Sequence, residues 1–275
     1  MHNCPACLSQ NTDTRAQFSD WVHYLDSDRR LSADDERFTI LRTMQSLDWR
    51  EDLQFQQCRD CSLLFVAPKP DGDRLSEFYH TYYSQFVSKG YLRKKDKKIK
   101  RAARRIKKLS GLARGKTFLD VGCNQGFAVE AAHRLGLQGT GIDIDSGALE
   151  TARQHFPAGE FLNMDISSLA KSSRKFHIVF CTEVIEHVPD VRGFAEALSL
   201  VLENSGVLFL TTPDFGHFRR PRDFLEWNEV KPIEHIRWFS KSNIRRLFNS
   251  YGVESSFKLN TKPGIKMFGR KALIK

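Results

Sequence analysis

The amino-acid sequence predicts an α/β fold, in which helices alternate with the strands of a mainly parallel sheet, preceded by a small module bracketed by cysteines. From residue 116 onward, short apolar runs alternate with helix-length segments, which is typical of parallel strands joined by right-handed crossovers. Before residue 69 the chain is polar and holds two Cys-x-x-Cys pairs. The 275 residues suffice for one large core and one smaller module.

Three zones follow from this pattern. Residues 1–68 form the predicted cysteine module, residues 69–115 an aromatic and basic helical linker or lid, and residues 116–275 the α/β domain. With 40% hydrophobic and 28% charged residues, the composition is that of a globular protein and excludes a membrane span or a disordered chain. Because no apolar export signal follows Met1, we expect a cytoplasmic protein.

The cysteine module predicts a structural zinc site. Cys4 and Cys7 form one Cys-x-x-Cys pair, and Cys58 and Cys61 form the other. In a reducing compartment these cysteines are not expected to form disulfides. Two such pairs instead complete a closed tetrahedral Cys₄ shell, which stabilises the fold and takes no part in catalysis. The 50 residues between the pairs must carry structure of their own.

A basic block occupies the second zone. Between Lys89 and Lys116 there are 14 basic residues and one acidic residue, Asp96, in a chain of net charge +10. The block predicts either an anionic partner, such as a phosphorylated substrate, RNA or an acidic lipid surface, or a solvated helix between two domains. The solvated helix is the preferred interpretation, because charge runs on connecting helices are usually only solvated.

The α/β domain reads as a regular succession of strands and helices. The predicted order is a strand at Thr117–Gly122, a helix from Gly126 to about Leu135, a strand at Gln138–Asp143, a helix at 146–156, a short strand before Asp165, a strand at Phe176–Thr182, a helix at 190–203, a strand at Gly206–Thr212, a helix at 240–251 and two final strands. The connection Pro213–Phe239 exceeds the usual loop length and is therefore a candidate substrate cover.

The segment Phe118–Gly126 ends a strand and opens a helix, which is typical of a nucleotide-type site. A dinucleotide is disfavoured, since Asn124 and Phe127 stand where a G-x-G-x-x-G motif needs glycines. Asp143 closes the next strand and suits the two hydroxyls of a ribose, and Asp165 suits the amine of an adenine. Either aspartate could instead only cap a helix.

These motifs together resemble a known family. The segments that carry the resemblance are Phe118–Gly126, Gly141–Asp143, Asp165 and Thr182–Asp190. In this order they are similar to the successive motifs of class I S-adenosylmethionine-dependent methyltransferases. With the cysteine pairs, Phe78-Tyr79 and Glu234–Phe239, the chain resembles the zinc-containing sugar C-methyltransferases, whereas Glu186–Asp190 resembles quinone-ring O-methyltransferases.

The resemblance implies a Rossmann-like seven-stranded sheet that binds S-adenosylmethionine. It assigns the turn to the methionine end, Asp143 to the ribose and Asp165 to the adenine. The implied cofactor-binding residues are Asp120, Gly122, Cys123, Asn124, Gly126, Asp143, Ile144, Asp165 and Ile166. Asn124 departs from the glycine that the family motif usually has, although asparagine tolerates left-handed backbone angles.

A candidate catalytic histidine follows the fourth predicted strand of the domain. His187 lies at the carboxyl edge of the predicted sheet, where a base titrating near pH 6 to 7 could take a proton from a hydroxyl or a carbon acid. The resemblance makes Glu186 its partner and places Tyr79 and His235 against the substrate. A histidine that merely caps or packs is the alternative.

The predicted function is methyl transfer from S-adenosylmethionine to a carbon or oxygen atom of a small molecule. The small molecule is expected to be a sugar, a sugar nucleotide or a related metabolite. One alternative is an RNA or protein methyltransferase that grips its substrate with the zinc module and the basic block, although a nucleic-acid partner is not favoured. Another is a non-catalytic binding protein that has kept the fold.

Overall fold

The structure is a computed structural model, and it describes residues 2–32, 34–49, 52–84 and 95–272, with the side chains of residues 83 and 84 left aside. Residues 89–94, the beginning of the basic block, lie outside this range. Among the described helices, none combines the length and the apolar character that crossing a bilayer requires.

The first part of the chain builds a small antiparallel sheet flanked by helices. Its elements are β1 (Thr12–Gln17), α1 (Phe18–Ser27), α2 (Glu36–Ser46), β2 (Gln54–Cys58), β3 (Leu64–Ala67), α3 (Gly72–Ser84) and α4 (Lys95–Ser110). Strands β1, β2 and β3 pair in sequence order. Between them, Trp21, Ile40 and Phe55 form part of an apolar core that α3 completes with Phe78.

The second part alternates strands and helices, as the sequence predicts. Its elements are β4 (Thr117–Val121), α5 (Phe127–Arg134), β5 (Gln138–Asp143), α6 (Ser146–His155), β6 (Glu160–Asn163), α7 (Ile166–Lys171), β7 (Phe176–Thr182), α8 (Val191–Val201), β8 (Leu202–Thr212), β9 (Arg237–Trp238), α9 (Lys241–Asn249), β10 (Val253–Phe257) and β11 (Ile265–Lys271).

Seven of these strands form one mixed sheet of order β10-β11-β8-β7-β4-β5-β6. Strands β4 to β8 run parallel, and β11 pairs antiparallel with both β8 and β10. The predicted Rossmann-like seven-stranded sheet is therefore confirmed. Because β4 lies at the centre, its carboxyl end and that of β7 meet at one edge of the sheet, where open α/β sheets bind their ligands.

Helix α4 contains most of the described part of the basic block, and one of its faces is buried while the other is exposed. Ile99, Ala102, Ile106 and Leu109 are buried, and the lysines and arginines occupy the remaining face. The buried stripe packs with aromatic side chains of the sheet, among them Phe118 and Phe209. The spacing of three and four residues explains how one helix can be both strongly basic and part of the core.

The small sheet gains its fourth strand from a distant part of the chain. Strand β9, within the long connection Pro213–Phe239, pairs antiparallel with β3, so that Leu64 lies opposite Trp238. Phe224, Trp227 and Trp238 of this connection are buried in the core of the small sheet. The connection is thus packed against the cysteine module rather than lying free over the large sheet.

Candidate active site and structural metal centre

The turn after β4 depends on glycine. Gly122 and Gly126 have φ angles of 70° and 77°. A Cβ atom at Gly122 would lie 2.6 Å from a methyl carbon of Val184, and one at Gly126 would lie 2.7 Å from the ring of Phe161. Asn124 has a φ angle of 45° and so takes the left-handed conformation that asparagine tolerates. The turn is therefore a close-packed backbone cradle.

Asp143 holds this cradle against the end of β5. One carboxylate oxygen accepts the backbone N–H of Asn124 at 2.7 Å, and the other accepts that of Asp145 at 3.0 Å. Burial raises the pKa of the Asp143 carboxyl, and these two donors oppose that shift. Each oxygen keeps a second lone pair, so the carboxylate can also accept from a ligand hydroxyl.

The other predicted cofactor residues surround the cradle in different ways. Asp120 is 5% exposed, and burial together with the Asp143 charge raises its pKa well above the usual value. Cys123 is buried, whereas the side chain of Ile144 is 68% exposed at the sheet edge. Ile166 packs in the core.

Asp165 caps helix α7 by accepting the backbone N–H of Ser168 at 2.7 Å. In this structure the Asp165 carboxylate therefore acts as a helix cap, the alternative to adenine binding that the sequence left open. The carboxylate is exposed at the same sheet edge as Asp143, so an additional ligand contact remains compatible with the cap.

Glu186 and His187 lie just after β7, next to Val184, which contacts the cradle. Glu186 is fully buried and accepts a hydrogen bond from the hydroxyl of Thr212 at 3.0 Å through Oε2. Its other oxygen, Oε1, has no hydrogen-bond partner among the described residues and lies 4.0 Å from Nε2 of His187. The ring of His187 bonds through Nδ1 to the carbonyl of Glu234. That bond places the ring proton on Nδ1 and leaves Nε2 as an acceptor.

Burial shifts the pKa values of both His187 and Glu186. It lowers the pKa of His187 to about 4, below the value of 6 to 7 that we expected from the sequence. It also raises the pKa of Glu186 well above its usual range, with the Glu183 carboxylate adding to the shift. Near neutrality the imidazole is therefore uncharged, and it lies beside a carboxyl group whose charged form is disfavoured by burial.

Tyr79 and His235, the two predicted substrate residues, lie beside His187. The ring of Tyr79 is 5.9 Å from that of His187, and its hydroxyl donates to the carbonyl of Glu234 at 3.0 Å. The His235 ring is 4.9 Å from that of His187 and bonds to the carbonyl of Glu229 at 2.9 Å. The structure thus brings together all four residues predicted for chemistry and substrate.

Sequence reasoning missed the charged cluster behind these histidines. The ammonium group of Lys231 lies 2.5 Å from the carboxylate of Glu36 and 3.6 Å from that of Glu234. Burial raises the pKa of Glu234 to about 7. The segment Glu234–Phe239 signalled its importance as a motif, but Glu36 lies in α2 and no local pattern connects it to Lys231.

A cation could also be held at this place. One ligand atom each from Glu186, His187 and His235 lie within 4.8 Å of one another. Their carboxylate and imidazole groups suit a first-row transition metal or zinc. The arrangement can therefore remove a proton or bind a divalent ion.

The four module cysteines converge on one point. Their sulfur atoms lie within 4.8 Å of one another, with Cys4 and Cys61 3.5 Å apart and Cys7 and Cys58 3.6 Å apart. Zinc–sulfur bonds of about 2.3 Å in a tetrahedron place the sulfurs about 3.8 Å apart, so the donor set and its spacing fit zinc. The sulfurs are mostly buried, as in a closed structural site.

Residues 91–255 match the family model for a methyltransferase domain. A ubiquinone biosynthesis O-methyltransferase of Actinobacillus pleuropneumoniae is 35% identical over 155 residues, which are 48% of this chain and 66% of that protein. One of Haemophilus ducreyi is 36% identical over 36% of this chain and 45% of that protein. The chain thus spans from under half to just under two thirds of the length of these relatives.

Solved structures share the fold at low identity. A 1,6-didemethyltoxoflavin N1-methyltransferase of Burkholderia thailandensis, solved with S-adenosylhomocysteine bound, is 15% identical with a TM-score of 0.54, over 77% of this chain and 96% of that one. The CcbJ methyltransferase of Streptomyces caelestis is 11% identical with a TM-score of 0.51, over 62% of this chain and 90% of that one.

Proposed function

Because this chain belongs to the methyltransferase domain family, we propose that it transfers a methyl group from S-adenosylmethionine to a small-molecule acceptor. The observation that carries the proposal is the ring of His187, which the Glu234 carbonyl holds through Nδ1 while Nε2 lies 4.0 Å from Oε1 of Glu186. The cofactor, when bound, supplies a methyl group on a positively charged sulfur. The cradle at Gly122–Gly126 would hold its methionine end, Asp143 its ribose and Asp165 its adenine.

The residues around His187 are suited to accepting a proton from the acceptor hydroxyl. His187 Nε2 and Glu186 Oε1 are too far apart, at 4.0 Å, for a hydrogen bond between them. A single hydroxyl oxygen about 2.8 Å from each atom would bridge that gap. In its protonated form, which burial favours, Glu186 would donate a hydrogen bond to this oxygen, while Nε2 of His187 would take the hydroxyl proton. The Glu234 carbonyl fixes the ring in the orientation that this transfer needs.

For the acceptor, the names of the similar proteins favour a hydroxyl group on a quinone-type ring. The alternative is the sugar or sugar nucleotide that the cysteine module suggests by resemblance, with methylation at carbon or oxygen. Both acceptors present a weakly acidic proton to a base, so the geometry of His187 serves either one.

Transfer of isotope-labelled methyl from S-adenosylmethionine tests the proposal directly. We expect product with a catechol-type ring or with a sugar nucleotide and none with RNA. Label on RNA or on protein would favour the macromolecular alternative, and failure to bind S-adenosylmethionine would favour a non-catalytic protein. Activity lost with a chelator and restored by a divalent cation, while the four module cysteines keep their zinc, would indicate that Glu186, His187 and His235 activate the hydroxyl through a metal.

A further inference from the structure

Two loops of the α/β domain expose large apolar side chains at their tips. Phe218, in the segment 215–222 after β8, is 82% exposed, and Leu259, in the segment 258–266 that leads from the end of β10 into the start of β11, is 90% exposed. Among the described large hydrophobic residues, these two have the highest exposure. Exposed apolar side chains indicate an interaction site when they lie together in one patch.

The two loops form one surface. The ring nitrogen Nε2 of His217 bonds to the carbonyl of Asn260 at 3.0 Å, and the guanidinium of Arg219 donates to the carbonyl of Thr261 at 3.2 Å. The side chain of Asn260 ties its own loop by donating to the carbonyl of Gly264 at 3.1 Å. The tips are therefore held side by side by hydrogen bonds. We name segments 215–222 and 258–266 together the tip surface.

The tip surface is mainly cationic, with the charge of Arg220 partly offset by Asp223, which follows the first segment. Its two segments contain no aspartate or glutamate, and their basic residues are His217, Arg219, Arg220, Arg222, Lys258, Lys262 and Lys266. Lys266 pairs in register with Thr211 at the edge of the large sheet. Burial lowers its pKa, and so does the repulsion of Arg105, Lys258 and Arg101.

The basic face of α4 therefore continues the tip surface. Arg105 stands over the ring of Phe209, the β8 residue opposite Phe268 of β11, which places α4 beside the strands that carry the tip surface. Within the part of the chain that the structure describes, Arg101, Arg105, Lys258 and Lys266 form no ion pair with a carboxylate.

An apolar tip surrounded by arginine and lysine matches one environment, the interface of an anionic lipid bilayer. There, cations meet lipid phosphates while aromatic and aliphatic side chains enter the boundary of headgroups and acyl chains. A single-stranded nucleic acid would also attract the cations and could stack on Phe218, but it offers nothing to an exposed aliphatic side chain such as Leu259.

We propose that the tip surface docks the protein on an anionic membrane surface, with Phe218 and Leu259 entering the lipid and the surrounding cations contacting the headgroups. The tip surface flanks the carboxyl edge of the large sheet, because segment 215–222 begins the long connection after β8 and Ile265 pairs with Thr212. Docking would therefore turn the edge that holds His187 toward the membrane. The proposal requires no catalytic activity and stands apart from the identity of the methyl acceptor.

Flotation of the full chain with lipid vesicles tests the proposal. We expect binding to vesicles of 70% phosphatidylcholine and 30% phosphatidylglycerol and at least tenfold weaker binding to pure phosphatidylcholine, since the neutral surface removes the attraction for the cations. The pair Phe218→Ser and Leu259→Ser, and separately the pair Arg222→Glu and Lys262→Glu, should each weaken partitioning into the anionic vesicles by about tenfold or more.

Leu200→Ser and Lys171→Glu are the matched controls, because these exposed residues lie on helices outside the tip surface. Each control should bind anionic vesicles like the unmodified protein, and circular dichroism should show all variants folded. Three results would overturn the proposal: no binding of the unmodified protein, full binding by either paired variant while folded, or displacement of the protein from vesicles by a short single-stranded RNA.

Discussion

His187 is the side chain on which the proposed chemistry depends, so its replacement is the most informative single change. His187→Ala should lower kcat by about 10² to 10⁴, the usual share of a general base. Affinity for S-adenosylmethionine should stay unchanged, because in the described part of the chain no hydrogen bond joins His187 to the cradle residues. Calorimetry and single-turnover rates measure the two quantities. The control is His133→Ala, which removes an exposed imidazole from α5.

The pH profile should show where His187 titrates. The neutral imidazole is the active form, and its pKa is lowered to about 4 by burial. Activity that depends on His187 should therefore rise with pH through about 4 and be constant from about pH 5 to 8. A rising limb at pH 6 to 7 that disappears with His187 would contradict this environment. A limb near 7 that is lost in Glu234→Gln would instead belong to Glu234, whose pKa is raised to about 7.

We expect the side chain of Asp143 to contribute more to S-adenosylmethionine affinity than the side chain of the neighbouring Asp145. Asp143→Ala should weaken S-adenosylmethionine binding by about 1 to 3 kcal/mol, because it removes hydrogen bonds to the ribose and releases the backbone N–H of Asn124. Asp145→Ala is the control, since Asp145 only caps α6. Equal Kd values for the two variants by calorimetry would leave Asp143 as a structural residue.

At the level of single residues, adjacency in the sequence determined what could be predicted. Glu186 and His187 are neighbours after a strand, and their joint position at the sheet edge followed from the strand pattern alone. The lowered pKa of His187 could not be predicted from the strand pattern, because it depends on burial by residues such as Tyr79 and His235, which come from other parts of the chain.

Among the elements, the cysteine module should depend on its metal. We expect about one zinc per chain, since the four sulfurs form one closed shell. Cys58→Ser should abolish zinc binding and unfold β1 to β3, because metal binding and folding are coupled in such modules. Elemental analysis and limited proteolysis measure these outcomes. Cys181→Ser, a change in a core strand, should keep the zinc, and a Cys58→Ser protein with full metal content would refute the site.

Helix α4 should behave as a core element in spite of its charge. Ile106→Ala should lower the free energy of unfolding by about 2 to 5 kcal/mol, because it opens a cavity under a fully buried side chain. The neighbouring exposed residue offers the control, and Lys107→Ala should change stability by less than about 0.5 kcal/mol. Denaturant titration compares the two. Similar small effects would mean that α4 is only a solvated connection.

The succession of elements in the α/β domain was predictable because each strand and helix carries its own periodicity. The turn at Gly122–Gly126 was predictable for the same reason, since its residues are contiguous. Strand β9 was not, because Arg237 and Trp238 are too few to show a pattern and their partner, β3, lies far away in the sequence.

On the scale of the whole molecule, the cysteine module and the α/β domain share their cores. Cys4, Cys61 and Phe65 belong to the same apolar cluster as Ile185 and Phe239. Arg192 at the start of α8 also donates to the carbonyl of Ala6 at 3.0 Å. The three zones drawn from composition describe the order along the chain, whereas the packing joins the first zone to the last.

The pairing of β3 with β9 bears on the order in which the chain can fold during synthesis. The four module cysteines leave the ribosome long before Trp238, so the zinc shell predicted for them could close early. One edge of β3, however, remains without its neighbour until Trp238 has also emerged. An exposed strand edge readily joins other chains. The nascent protein thus carries this open strand edge until the long connection emerges and covers it.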